Sequence, residues 1–158
     1  MAIQVGDKLP SIDLRILGEK GPEVINTDTL TSGKKVVLFA VPGAFTPGCS
    51  LTHLPGFVVN ADNIKAKGID SIICTSVNDA FVMDAWGKAQ NAEHIVMAAD
   101  ADAELAKALG LELDASGFGL GTRSQRYAMI IDQGVISYLG VDEKAIEASS
   151  AETVLAQL

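Results

Sequence analysis

The sequence predicts an α/β domain in which a central mixed β-sheet is flanked by helices. Three observations predict it. Short continuous apolar runs (VVLFAV, IDSIICTSV and HIVMAAD) have the character of strands buried on both faces. Segments with helical start and stop signals separate those runs. Two further apolar runs flank Asp132-Gln133-Gly134, the pattern of a β-hairpin. The order strand, helix, strand, helix, strand, helix, hairpin, helix gives an α/β plan whose antiparallel part is the terminal hairpin.

Each element has its own reason. The run 36–41 is rich in β-branched and bulky residues and predicts a central strand, followed by a turn over 42–48. A helix is expected from about Pro47 to near Gly68, kinked where Pro55 interrupts it. Residues 69–77 predict the next buried strand, and Asn78 or Asp79 can cap the helix that follows. HIVMAAD (94–100) is a third strand, and DAELAKALG (102–110) a short helix closed by Gly110. Residues 115–125, rich in Gly and Ser, predict a loop before the hairpin strands 127–131 and 135–140. The last helix starts at about Ser150.

Composition narrows the function classes. The 158 residues suit one domain spanning 1–158, and the 48% hydrophobic content can fill a core. A formal net charge of −8 argues against nucleic acid or an anionic membrane as partner, since both need clustered Lys and Arg. No apolar run approaches the roughly 18 residues of a membrane span, and the start has no secretory pattern. The expectation is a soluble, cytoplasmic protein. Its two cysteines, Cys49 and Cys74, lack CxxC spacing and have too few companions for a zinc site, so no metal is expected.

The chemistry concentrates in AVPGAFTPGCSLTH, residues 40–53. In an open α/β sheet, sites lie beyond the carboxyl ends of strands. Cys49 sits there, in the first turn of the expected helix, where free N–H groups and the helix dipole favour a thiolate. Pro42 stops the strand, Gly43 and Gly48 permit close approach, and Thr46 can turn its hydroxyl toward the sulfur.

PGAFTPGCS resembles the active-site signature of the peroxiredoxins, PxxxTxxC, in the form of the type II group. The likeness extends to IDSIICTSVNDAFVMDAWGKA and GLGTRSQRYAMIID, and so covers nearly the whole chain. The resemblance implies a thioredoxin-like fold and a thiol peroxidase without metal or organic cofactor. It makes Cys49 the peroxidatic nucleophile, which attacks a hydroperoxide and becomes a sulfenic acid. Pro42 and Thr46 are the other motif members, and Arg126, directly before the strand YAMIID, matches the family's arginine. Arg123 lies in the same loop, but Arg126 keeps the spacing to the strand.

Physical chemistry asks for these partners in any case. Deprotonation raises the thiolate fraction but lowers nucleophilicity, so charge developing on the peroxide oxygens must also be stabilised. Backbone N–H groups around Gly48 and Cys49, the Thr46 hydroxyl and the Arg126 fork are suitable donors, while Pro42 shields the sulfur.

The remaining candidates are less specific. His53, four residues after Cys49, suggests a Cys–His couple, but no orienting carboxylate stands beside it; a packing or shielding role is the expectation. Cys74, on a buried strand, is either inert or a second, resolving thiol, the latter only if it can reach Cys49. The last helix has no cysteine, whereas mammalian peroxiredoxin 5 carries its resolving cysteine near there, which suggests a one-cysteine mechanism. An external thiol must then recycle Cys49: glutathione with glutaredoxin, or thioredoxin. Phe45 and Phe118 can line an apolar wall for alkyl hydroperoxides, and the family's homodimer contact lies in these regions. Phe81 and Trp86 fit either the site or the core of their helix. Two rivals remain. A thiol-disulfide oxidoreductase needs a second cysteine in CxxC, and a redox-sensing binding module would be switched by Cys49 oxidation without turnover.

Overall fold

A computed structural model describes residues 2–158. Its main sheet has seven strands: β1 (Asp13–Gly18), β2 (Gly21–Asn26), β3 (Lys35–Ala40), β4 (Ser71–Ser76), β5 (Ile95–Ala99), β8 (Arg126–Asp132) and β9 (Val135–Asp142). Their spatial order is β2-β1-β5-β4-β3-β8-β9. The centre, β5-β4-β3, is parallel, and β1, β2, β8 and β9 add antiparallel edges. This is the mixed sheet expected. Two short strands, β6 (Glu112–Asp114) and β7 (Thr122–Ser124), pair in a separate ribbon.

The alternation of β3 explains why its run is apolar throughout. Val37 and Phe39 face one layer with Phe57, Met83 and Trp86, drawn from α2 (Leu54–Ala66) and α3 (Ala80–Ala89). Val36, Leu38 and Ala40 face the other, with Leu30 of α1 (Thr27–Thr31) and Leu105 and Leu109 of α4 (Glu104–Leu109). A strand covered on both faces has no polar side. Helix α5 (Ala151–Ala156) joins the first layer through Ala151 and Val154.

Local signals act where expected. Asp79 caps α3 by accepting from Val82 N–H at 2.8 Å, Ser150 caps α5, and Gly110 closes α4 in the left-handed region at φ 69°. Gln133 and Gly134, both at positive φ, make the β8–β9 turn.

Three expectations are corrected. The helix expected around Pro55 is not α-helical throughout. Helical backbone begins at Pro47, takes a π-helical turn over Cys49–His53, and becomes α2 with the proline in its first turn, where a missing N–H is tolerated. The 115–125 loop contains strand β7, paired with β6; three-residue strands carry no legible alternation. The 102–110 helix starts later, at Glu104, because the Asp100 carboxylate caps it by accepting from Leu105 and Ala106 N–H, both at 3.0 Å. Strands β1 and β2 also lie outside the sequence reading. Their exposed, charge-interrupted faces carry no continuous apolar run.

Candidate active site

The site is assembled where β3 ends. After Ala40 the chain passes through Pro42 into a turn in which Phe45 adopts φ 64°. Thr46 Oγ1 donates to the Gly43 carbonyl at 2.7 Å and Thr46 O accepts from Ser50 N–H at 2.9 Å, which fixes the turn against the helix. Asn78 ties the same turn to the end of β4: its Oδ1 accepts from Ala44 N–H at 2.9 Å and from Ser76 Oγ at 2.7 Å. A Cβ on Gly43 would lie 3.1 Å from Thr46 Cγ2 and 3.3 Å from Arg123 Nη1, so a side chain there would push on both.

Cys49 is 0% exposed and belongs to the core layer of Phe39 and Phe57. The Gly48 and Cys49 N–H groups lie in the first helical turn, where no intrahelical acceptor exists. Arg126, the first residue of β8, donates from Nη2 to Cys49 Sγ at 3.3 Å. A Cβ on Gly48 would come within 3.3 Å of that Nη2, so the glycine leaves room for the guanidinium. A fixed cation thus faces the sulfur, and unpaired amides lie in the same helical turn.

Behind Arg126 stands His53. Arg126 Nη1 and His53 Nδ1 are 2.8 Å apart, and His53 Nε2 lies 2.8 Å from the Ser149 carbonyl. A carbonyl and a guanidinium admit one tautomer. Nε2–H donates to Ser149, and Nδ1 accepts from Arg126. The imidazole is packed among Phe39 and Phe57, with ring centroids at 5.1 and 5.6 Å. Burial, and then the Arg126 charge against the opposing Ser149 bond, lower its pKa to about 4. Neither ring nitrogen is spent on Cys49, so the hydrolase-like Cys–His couple is not formed.

The sequence reading placed Cys49, Thr46, Pro42, Gly48 and Arg126 in one region, and they meet there. Arg123 is used elsewhere, donating to the carbonyls of Val77 and Leu120. The Thr46 hydroxyl is not free to donate as expected; its proton goes to Gly43, which leaves the oxygen as an acceptor. Cys74 is 0% exposed on β4, opposite Phe39 in register, on the same face as Cys49, and both cysteines are free. Burial first, and nearby Cys49 second, push the Cys74 thiol well above its ordinary pKa. Phe45 is 56% exposed, and Phe118, at the tip of the β6–β7 ribbon, 88%. Trp86 is a core residue whereas Phe81 is 60% exposed.

One contact and one residue escaped the sequence reading. The His53 link to Arg126 was signalled only by its spacing from Cys49, and Asp142, which organises the loop carrying Ser149, by nothing. Burial opposes the Asp142 charge, yet hydrogen bonds from Ser149, Glu147 and Ala148 outweigh it and hold the carboxyl below its usual range. A surface cavity of about 330 Å³ runs past Pro42, Leu113, Arg126, Asp142 and Glu143. Among the described residues no cluster of three or more His, Cys, Asp or Glu could hold a metal, and no helix is long and apolar enough to cross a membrane.

The model of the redoxin family matches residues 4–155. Peroxiredoxin-2D of Arabidopsis thaliana is 45% identical, over 99% of this chain and 98% of its own length. The chain is a peroxiredoxin of the redoxin family. The chloroplastic peroxiredoxin-2E-2 of Oryza sativa is 47% identical, over 99% of this peroxiredoxin and 72% of the plant protein. Among solved structures, reduced Prx3 from Vibrio vulnificus in complex with H2O2 superposes on this peroxiredoxin with a TM-score of 0.95, at 59% identity over 98% of each chain. Peroxiredoxin 5 from Alvinella pompejana does so at 0.85, with 36% identity over 98% of this chain and 96% of the other. The fold is therefore the thioredoxin-like fold of peroxiredoxins, the relatives are consistent with the type II group, and the protein is a thiol peroxidase.

Proposed function

We propose that Cys49 is the peroxidatic nucleophile, reducing hydrogen peroxide and small alkyl hydroperoxides in a one-cysteine cycle. The observation that carries this reading is the 3.3 Å contact between Arg126 Nη2 and the enclosed Cys49 sulfur. The thiolate attacks one peroxide oxygen, the O–O bond breaks, and the leaving oxygen departs as alkoxide or hydroxide and takes up a proton. The sulfur becomes a sulfenic acid. Arg126 and the Gly48 and Cys49 amides stabilise charge on the separating oxygens. Thr46 Oγ1 accepts the hydrogen of the incoming peroxide, and Pro42 shields the sulfenic acid from water. Full enclosure of Cys49 favours small substrates. Hydrogen peroxide as substrate is further supported by the Vibrio vulnificus relative, crystallised with H2O2.

A buried Cys74 with a raised pKa is a poor attacking thiol. An external thiol therefore recycles Cys49, with glutathione and glutaredoxin the first choice and thioredoxin the second. The protein then acts in antioxidant defence and redox homeostasis. The exposed Phe45 and Phe118 supply an apolar surface for a homodimer contact beside the site.

Intact mass after one equivalent of hydrogen peroxide, quenched rapidly without added thiol, tests the cycle. Gain of one oxygen, absent in Cys49→Ser, supports it. Loss of two hydrogens as a Cys49–Cys74 bridge would replace it with a two-cysteine cycle, and no change within seconds would remove Cys49 from the role.

A further inference from the structure

Asp142 ends β9 and stands opposite Arg126 in the β8–β9 register. Its carboxylate is committed to the loop that follows. Oδ2 accepts from Glu147 N–H at 3.0 Å, Ser149 N–H at 2.8 Å and Ser149 Oγ–H at 2.6 Å, and Oδ1 accepts from Ala148 N–H at 3.2 Å. Tyr138 adds a brace by donating its hydroxyl to the Ala148 carbonyl at 2.6 Å. With its N–H and hydroxyl both held, and the following Ser150 N–H donating to the Glu147 carbonyl at 3.2 Å, buried Ser149 presents its own carbonyl to His53 Nε2–H.

An unbroken series of bonds therefore runs from Asp142 through Ser149 and His53 to the Arg126 guanidinium and the Cys49 sulfur. Each link dictates the next. A carbonyl can only accept, so Nε2 must carry the proton. Nδ1 is then an acceptor, and Arg126 is gripped at Nη1 while Nη2 faces the sulfur. Arg126 also has the freedom of a long side chain, which such a grip removes before peroxide arrives.

We propose that Asp142 is a positioning residue for the peroxide reaction: by fixing the Ser149 carbonyl it holds His53 as the acceptor that steadies Arg126 on Cys49. This rests on the reading above that Arg126 serves the peroxide step. In Asp142→Asn, an N–H2 group replaces one acceptor oxygen and opposes the loop amides. The Ser149 carbonyl moves, and the guanidinium loses its fixed stop. A displacement of 1 Å at a reacting group is able to cost on the order of 100-fold in rate, and a partial loosening about tenfold.

The test compares the full chain with its Asp142→Asn, Ser149→Ala, Arg126→Ala and Asp142→Asn/Arg126→Ala variants. Three quantities are read: the rate of Cys49 oxidation by hydrogen peroxide, the rate of Cys49 alkylation by iodoacetamide, and the His53 tautomer from ring ¹⁵N resonances. Asp142→Asn is expected to slow oxidation about tenfold with alkylation nearly unchanged. It should weaken the Nε2–H signature and add nothing once Arg126 is removed. Ser149→Ala, which loses the hydroxyl bond and keeps the carbonyl, gives a smaller effect of the same kind and serves if Asp142→Asn fails to fold.

Wild-type oxidation and an unchanged tautomer in a folded Asp142→Asn, or in Ser149→Ala if that is the variant that folds, overturn the proposal. So does equal slowing with and without Arg126. Fast oxidation of Arg126→Ala defeats the reading of Arg126 itself, and this inference with it; slow Arg126→Ala beside unimpaired Asp142→Asn defeats the inference alone.

Discussion

Trp86 donates its indole N–H to the Ser50 hydroxyl at 2.9 Å, joining α3 to the turn that carries Cys49. Trp86 is the only tryptophan in the sequence and is fully buried. Its fluorescence should therefore change when Cys49 is oxidised. Stopped-flow mixing with hydrogen peroxide is expected to give a single fast phase, absent in Cys49→Ser. Fluorescence that is indifferent to oxidation would mean that the turn stays rigid through the reaction.

Arg126→Ala should slow peroxide oxidation of Cys49 by roughly 100- to 1000-fold, the usual loss for one transition-state donor in an enclosed site. Alkylation by iodoacetamide, which develops no charge on a peroxide oxygen, should slow far less. Arg126→Lys should recover little, because a point charge cannot serve His53 and Cys49 with two separate nitrogens. Parallel slowing of both reactions would show that Arg126 only tunes the thiolate.

Gly48→Ala isolates the space in front of that guanidinium. Gly48 has φ −63° and ψ −38°, which alanine adopts freely, so the fold should persist. Its Cβ would stand 3.3 Å from Arg126 Nη2 and must displace it by a few tenths of an ångström. A several-fold slower peroxide step at unchanged Tm is the expected outcome; a wild-type rate would show that Arg126 tolerates the shift.

His53 imposes a pH dependence whose sign is fixed. Its pKa is about 4 in the folded protein, lowered by burial and by Arg126 against the opposing Ser149 and Asp142, and 6.5 for an ordinary imidazole in the unfolded chain. Between these values the unfolded chain binds more protons, so this residue's contribution is present above pH 6.5 and is lost as pH falls toward 4. The loss amounts to about 3 kcal/mol. Denaturant titrations of the wild type and His53→Asn across this window should differ by that slope. An asparagine also leaves an oxygen near the Nδ1 position, so it should keep much of the peroxide rate where His53→Leu does not. Identical slopes would place the His53 titration elsewhere.

Much of this was legible in the residues. VVLFAV announced a strand covered on both faces because both of its side-chain rows are apolar, and PGAFTPGCS marked the turn at its end where Cys49 meets Arg126. Arg126 was legible through its position against β8. What was not legible depends on distance in the chain. His53 and Ser149 are 96 residues apart, and no local pattern couples them. Asp142 resembles any polar residue at a strand end, since all but one of its partners are backbone amides that every sequence possesses. The Thr46 hydroxyl was misdirected because a turn carbonyl, invisible in a motif, claimed its proton. The edge strands β1 and β2 stayed hidden because exposure removes the apolar run that marks the central ones.

The π-helical turn has a consequence for how the protein opens. Leu54 N–H reaches back to the Cys49 carbonyl, and Pro55, next in line, has no amide hydrogen to give. The ladder of bonds is therefore interrupted just where the reactive turn joins the long helix. Residues 49–54 should therefore unwind as a unit while the helix beyond Pro55 stays intact. In hydrogen exchange, the amides of 50–54 should trade with solvent through a small, low-energy opening, and those beyond residue 58 only through much larger ones. A sulfur sealed in the core can in this way come to the surface without dissolving the core that sealed it.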